Sequence, residues 1–197
     1  MKHTIETYTG LTVDLANPDP RTISADDIAH ALSRIQRFGG HTNVPYSVAQ
    51  HSVLVAEIAH RLYPSPDGLL ERQALLHDAQ EAYLGDMVHP LKTIPSVANA
   101  WNWLEAQMAR VIHLALGVQR PDQAATQRVH HCDRLALAIE ARELKVSRGE
   151  GWDLPAIPAA LNGIRLEPLD HHEAKRQWWC AWGMTSAMRP APIAAEA

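Results

Sequence analysis

Apolar residues recur at helical spacing along most of this chain, and glycine and proline mark where each run stops. Before Ser24 the spacing differs: Thr4 to Tyr8 and Leu11 to Leu15 alternate around Gly10, which predicts a short hairpin closed off by Pro18 and Pro20. Ser24 with Asp27 makes a capping-box start for a first helix, whose stripe of Ile28, Ala31, Leu32 and Ile35 is stopped by Gly39-Gly40. Ser47 with Gln50 opens a second, with Val48, Val55, Ile58, Ala59 and Leu62 on one face before Pro64, and His51 falls on that apolar face. A third helix is predicted from about Gly68 to Leu84, carrying Leu69, Leu76, Ala79 and Tyr83 and ended by Gly85. His77, Asp78 and Glu81 then lie in its last two turns. Met87 to Pro95 reads as a proline-bounded loop, Ser96 to Leu116 as a long tryptophan-bearing helix stopped by Gly117, and Asp122 to Ser147 as another that contains Asp133. Gly149 to Leu169 holds Pro155, Pro158 and Pro168 and reads as an irregular crossing segment. Asp170 with Glu173 opens a last helix bearing Trp178, Trp179 and Trp182, and the Ala/Pro-rich stretch 189–197 is expected to be a flexible tail. The pattern predicts an all-α bundle of about six helices with a short N-terminal extended arm over residues 1–22, all in one domain spanning 1–197.

Composition narrows what such a bundle does. With 46% hydrophobic and 20% charged residues among 197, the chain is in the globular range and long enough for one sizeable core. A net charge of -4 removes the basic footprint of a dedicated binder of duplex nucleic acid. No run approaches ~18 consecutive apolar residues, and Met1 to Gly10 lacks the apolar core of a secretory signal, so the expectation is a cytoplasmic protein without a membrane partner. Cys132 and Cys180 are the two cysteines and form no CxxC, which excludes a disulfide scaffold and a cysteine-based zinc site. Histidine is the outlier at twelve residues.

One histidine on an apolar helix face, such as His51, is ordinarily a hydrogen-bonded core residue. The His77-Asp78 pair is different, because it follows Ala74-Leu75-Leu76 on a face that should be buried, and burying an unpaired carboxylate costs several kcal/mol. Asp133, between Val129 and Ala136-Leu137, repeats the problem on another helix. An arginine partner would satisfy either aspartate. A shared divalent metal would satisfy both carboxylates and both imidazoles together. Two His and two Asp ligands point to an open transition-metal site, for Mn, Co, Zn, Ni or Fe with Mg also admissible. An ion held by four protein groups keeps positions for water or substrate oxygen, which favours hydrolysis over a purely structural role.

His51, His77-Asp78 and Asp133 resemble the H…HD…D signature of the HD-domain metal-dependent phosphohydrolases, an all-helical superfamily. Ala74-Leu75-Leu76-His77-Asp78-Ala79-Gln80-Glu81, Gly85-Asp86 and Pro90-Leu91-Lys92 are similar to the corresponding run of bacterial 5'-deoxynucleotidases. Arg37-Phe38 resembles the Arg-aromatic pair at the end of that family's first helix, and Ser47 to Ser52 resembles its S-E-H-S segment, with Gln50 where the family usually has Glu. Gly39-Gly40-His41 looks more like phage-type HD deoxynucleotide hydrolases. The match spans about Ile28 to Leu144.

The resemblance implies a metal held by His51, His77, Asp78 and Asp133, with Glu81 and Asp86 as catalytic carboxylates handling the proton of the attacking water. It implies phosphate or substrate contacts from Arg37, Phe38 and Lys92, a small-molecule nucleotide as substrate, and a homo-oligomer. Glu81, one turn beyond Asp78 and four residues from His77, is expected to project beside the metal. The expected activity is a 5'-deoxynucleotidase releasing phosphate from deoxynucleoside 5'-monophosphates. A triphosphohydrolase releasing triphosphate is the alternative, and a non-catalytic nucleotide sensor the third. His130-His131 and His171-His172 are expected to be exposed, and Trp178 and Trp182, four apart, to dock the last helix.

Overall fold

A computed structural model describes residues 3–187 of the chain; the expected tail over 189–197 lies outside the described residues. The N-terminal alternation forms the expected hairpin, β1 (Thr4–Glu6) antiparallel to β2 (Thr12–Asp14), with Ile5 opposite Val13. A lone hairpin is marginal in water. This one is held by burial of Val13 and by the Thr9 backbone N–H and hydroxyl, which both donate to the Asp27 carboxylate at 2.8 Å. Asp27 is thereby unavailable to the predicted capping box. Ser24 still caps α1 (Ala25–Leu32), accepting from the Asp26 backbone N–H.

The first helix is shorter than predicted. It stops after Leu32 because Gln36 pairs with Ser47 in an isolated antiparallel bridge, which pulls the chain out of helical geometry. A 3-10 turn over Arg37–Gly40 follows, in which Phe38 itself adopts a left-handed φ of 58°. That conformation is uncommon for a bulky side chain.

Helix α2 (Val48–Leu62) begins with the predicted box: Ser47 Oγ accepts from the Gln50 N–H, and Gln50 Oε1 accepts from the Ser47 N–H. The Gln50 amide nitrogen donates to the Glu167 carbonyl at 3.0 Å, a bond that a glutamate there cannot make. Gln50 therefore ties the irregular crossing segment to the helix.

The third predicted helix is two helices. α3 (Leu69–Leu75) and α4 (Glu81–Leu84) are separated by turns over residues 76–80. The Ala74 carbonyl accepts from the His77 ring Nδ1 at 2.7 Å and from the His77 backbone N–H at 3.4 Å, and i+3 bonds such as Ala79 N–H to Leu76 O replace the helical ladder. The predicted loop after Gly85 contains one further turn, α5 (His89–Lys92), before α6 (Pro95–Ala115). Helix α7 (Gln123–Leu144) is capped by Asp122, and α8 (His171–Ala187) follows the crossing segment. The architecture is the expected all-α bundle; the described residues hold eight helices where about six were expected.

Helix α2 occupies the middle, packed against α3, α7 and α8. Its apolar positions share one core with Ile28, Leu32, Leu75, Met108, Leu135 and Ile139. Trp178 is fully buried and Trp182 stacks on it, so the tryptophans do dock the last helix. Among the described residues no helix is long and apolar enough to cross a membrane.

Candidate metal centre

Three elements meet where α2, the turns after α3, and α7 face one another. α2 contributes His51, which is fully buried; the turns contribute His77 and Asp78; α7 contributes Asp133. The His51 and His77 Nε2 atoms are 3.2 Å apart. Asp78 Oδ2 lies 3.5 Å from His51 Nε2 and 3.2 Å from His77 Nε2. Asp133 Oδ1 lies 3.2 Å and 3.9 Å from the same two nitrogens. One ligand atom each from His51, His77 and Asp133 lies within 4.8 Å of the others, a group that can hold a metal ion. All four expected residues are thus brought together.

The outer nitrogens decide what the inner ones offer. His51 Nδ1 is 2.6 Å from Glu140 Oε1, and His77 Nδ1 is 2.7 Å from the Ala74 carbonyl. Both outer partners are acceptors, so each Nδ1 carries the hydrogen. In the neutral imidazoles both Nε2 lone pairs then point into a space shared with two carboxylate oxygens. Four convergent acceptors are stable together only around positive charge. In the metal-free chain, protons fill that role: burial opposes the charge on each imidazole, yet neighbouring carboxylates raise His51 well above, and His77 above, the ordinary histidine range. Against burial, His51 and His77 pull Asp133 down to about 2. Asp133 keeps 32% of its side chain exposed, so the cluster opens to solvent on the α7 side.

Glu81 heads α4, and it is 2% exposed. Burial first, then Asp78 and Asp86, push its carboxyl up to about 9. Its Oε2 has no hydrogen-bond partner among the described residues, while Oε1 is 3.6 Å from Lys92 Nζ. Asp86 follows the helix-ending Gly85, and burial raises its carboxyl too.

The expected substrate contacts are placed less simply. Arg37 Nη2 donates to Glu140 Oε2 at 2.9 Å and Nη1 is 3.9 Å from Asp78 Oδ2, so the guanidinium is already committed to carboxylates. Lys92 donates to Glu105 at 2.8 Å. Phe38 lies beside Trp152, with Lys145 Nζ 4.5 Å above its ring. Glu140, which contacts both His51 and Arg37, was not singled out by the sequence reasoning. Its signal was present: an acidic residue two turns beyond Asp133, flanked by the buried Ile139 and Ala141. As expected, His130, His131, His171 and His172 are exposed.

The Escherichia coli K12 protein YfdR is 36% identical over 169 residues, covering 83% of this chain and 86% of its own length. The chain belongs to the YfdR family. YfdR is itself described as uncharacterized, as is a second relative, RCAP_rcc00048 of Rhodobacter capsulatus, 34% identical over 168 residues that cover 81% of this chain and 84% of that protein. No protein-family model matches this YfdR-family chain. Among solved structures, the cyanophage S-2L HD phosphohydrolase DatZ, bound to dA and one catalytic Zn2+ ion, is similar over 84% of this chain and 98% of that one, with 20% identity and a TM-score of 0.48.

Proposed function

We propose that this YfdR-family protein is a metal-dependent phosphohydrolase of the HD type that acts on nucleotides, and that its substrates are deoxynucleoside 5'-monophosphates. The observation that carries the reading is the convergence of two imidazole Nε2 atoms and two carboxylate oxygens, separated by 3.2 to 3.9 Å in the pairs described, beside a buried carboxyl with an unpartnered oxygen. The donor set fits a divalent transition metal, with His51, His77, Asp78 and Asp133 as its ligands. A bound ion would supply a water acidified toward neutral pH and would polarise a phosphoryl oxygen.

The remaining steps belong to the side chains. Glu81 acts first as an acid: a carboxyl raised to about 9 carries a proton at neutral pH, gives it to the departing ester oxygen, and the carboxylate so formed takes up the proton released from the water. Asp86 is the second proton-handling carboxylate. Arg37 Nη1, aimed toward Asp78, adds positive charge beside the phosphate position. Phe38, which has Trp152 and Lys145 beside it, is assigned to the substrate as its aromatic contact.

Charge supports the shorter phosphate chain. A triphosphate brings about four negative charges and requires several cations beyond the metal. Arg37 is paired with Glu140 and Lys92 with Glu105, which favours the monophosphate. The test is a panel of deoxynucleotides incubated with Mn2+, Co2+, Zn2+ or Mg2+ and analysed for products. Inorganic phosphate from monophosphates is the expected result. Inorganic triphosphate from triphosphates, with monophosphates untouched, overturns the substrate assignment, and no hydrolysis of any nucleotide overturns the enzymatic one.

A further inference from the structure

Glu140 has no place in the set of residues assigned above, yet it is 0% exposed and both its oxygens are committed. Oε1 meets the His51 ring at Nδ1, 2.6 Å away, and Oε2 accepts from Arg37 Nη2 at 2.9 Å. Arg37 Nη1 in turn faces Asp78 Oδ2 at 3.9 Å. A single carboxylate therefore touches one of the residues assigned to the metal and, through the guanidinium, reaches a second. The geometry points to Glu140 as the positioning residue of the metal centre, fixing the His51 tautomer and the Arg37 fork together. This inference rests on the metal-centre reading.

The chemistry requires an ionised glutamate. His51 must carry its hydrogen on Nδ1 for the Nε2 lone pair to face the cluster, and only an acceptor opposite Nδ1 enforces that. Arg37 presents a second donor to the same side chain. A carboxylate accepts from both; the amide of Gln, equal in size, has one oxygen and one NH2. In Glu140→Gln the NH2 must confront either the Arg37 donor or His51 Nδ1. The first outcome releases Arg37, and the second turns the His51 hydrogen onto Nε2, into the cluster. Acceptors that orient a metal-binding histidine from outside typically change metal affinity by roughly 10 to 100-fold when removed.

The experiment titrates Zn2+ alone against a competing chelator in wild-type protein, in E140Q and in the double variant R37M/E140M, which removes the buried charges as a pair, so that folding does not depend on an unpaired guanidinium, and leaves no acceptor opposite His51 Nδ1. In the zinc-loaded samples, proton NMR follows the imidazole N–H of His51. The expected result is zinc affinity about 10 to 100-fold weaker in both variants, with the downfield, slowly exchanging N–H of wild type shifted or lost. No zinc uptake by wild type overturns the metal-centre reading and this inference with it. Zinc uptake by wild type that is undiminished in the folded variants, with the N–H resonance in place, overturns the inference alone.

Discussion

The two faces of α2 bury carboxylates in opposite ways. Toward α7, His51 enters a cluster where imidazole nitrogens and carboxylate oxygens crowd within 3.2 to 3.9 Å of one another. On the other face, Val53, Ala56, Glu57 and His60 line a groove of about 360 Å³ with Glu71 of α3 and Cys180, Ala181 and Met184 of α8. Glu71 is as buried as Glu81, at 3% against 2%, but its oxygens are met by the Ser65 backbone N–H, the Ser65 hydroxyl and the His60 ring. Both Glu71 oxygens have donors. The groove side satisfies its buried carboxylate with neighbouring donors, whereas in the central cluster two imidazoles and two carboxylates converge on one space. Convergent polar atoms, rather than cavity volume, set the candidate metal centre apart.

That contrast breaks if substitutions on the two faces behave alike. The largest effect is expected for Asp133→Ala and Asp78→Ala, each of which should abolish nucleotide turnover at any added metal concentration, since the remaining ligands are left as unbalanced buried charge. Phosphate release measured with excess Mn2+ or Co2+ checks this. Glu81→Ala should lower turnover by roughly 10²-fold or more while the metal stays bound, the usual scale for a positioned acid or base. Metal lost in proportion to activity would make Glu81 a support for the ion instead. On the groove side, Glu71→Ala should leave turnover near wild type and destabilise the fold by about 1–3 kcal/mol, through the donors it strands. Chemical denaturation together with a rate assay separates the two.

A smaller effect sharpens the comparison through pH. Because Glu81 is pushed up to about 9 from an ordinary 4.5, the folded metal-free chain binds a proton that the unfolded chain releases. Stability carried by this group falls as pH rises from about 4.5 toward 9. Glu81→Gln removes that slope, so the metal-free variant should gain in Tm over wild type at pH 8 and approach it near pH 4.5. Equal Tm differences at both pH values would contradict the assigned environment.

Much of this site is legible in the chain because burial contradicts polarity at particular positions. His51 lies on an apolar stripe and Asp133 among alanine and leucine, so each demands a partner on the strength of its neighbours in the chain. The same logic applies to Glu140, between Ile139 and Ala141, and finds it once each acidic residue on α7 is tested alike. The break at residues 76–80 is harder to read. The apolar period continues through Leu76, Ala79 and Tyr83, and the interruption is accompanied by a bond from the His77 side chain to the Ala74 carbonyl three residues earlier, which leaves no trace in hydrophobicity. The commitments of Arg37 and Lys92 are invisible for another reason. Their partners Glu140 and Glu105 are 103 and 13 residues away, so proximity exists only once the bundle is assembled.

The central claim is that His51, His77, Asp78 and Asp133 hold one ion. Protein purified without an affinity tag or chelator, then analysed for metal content beside D78A and D133A, tests it most directly. The account predicts one divalent transition metal per chain in wild type and loss of that occupancy in both variants. A wild-type chain that binds no ion, or variants that retain full occupancy, would contradict it.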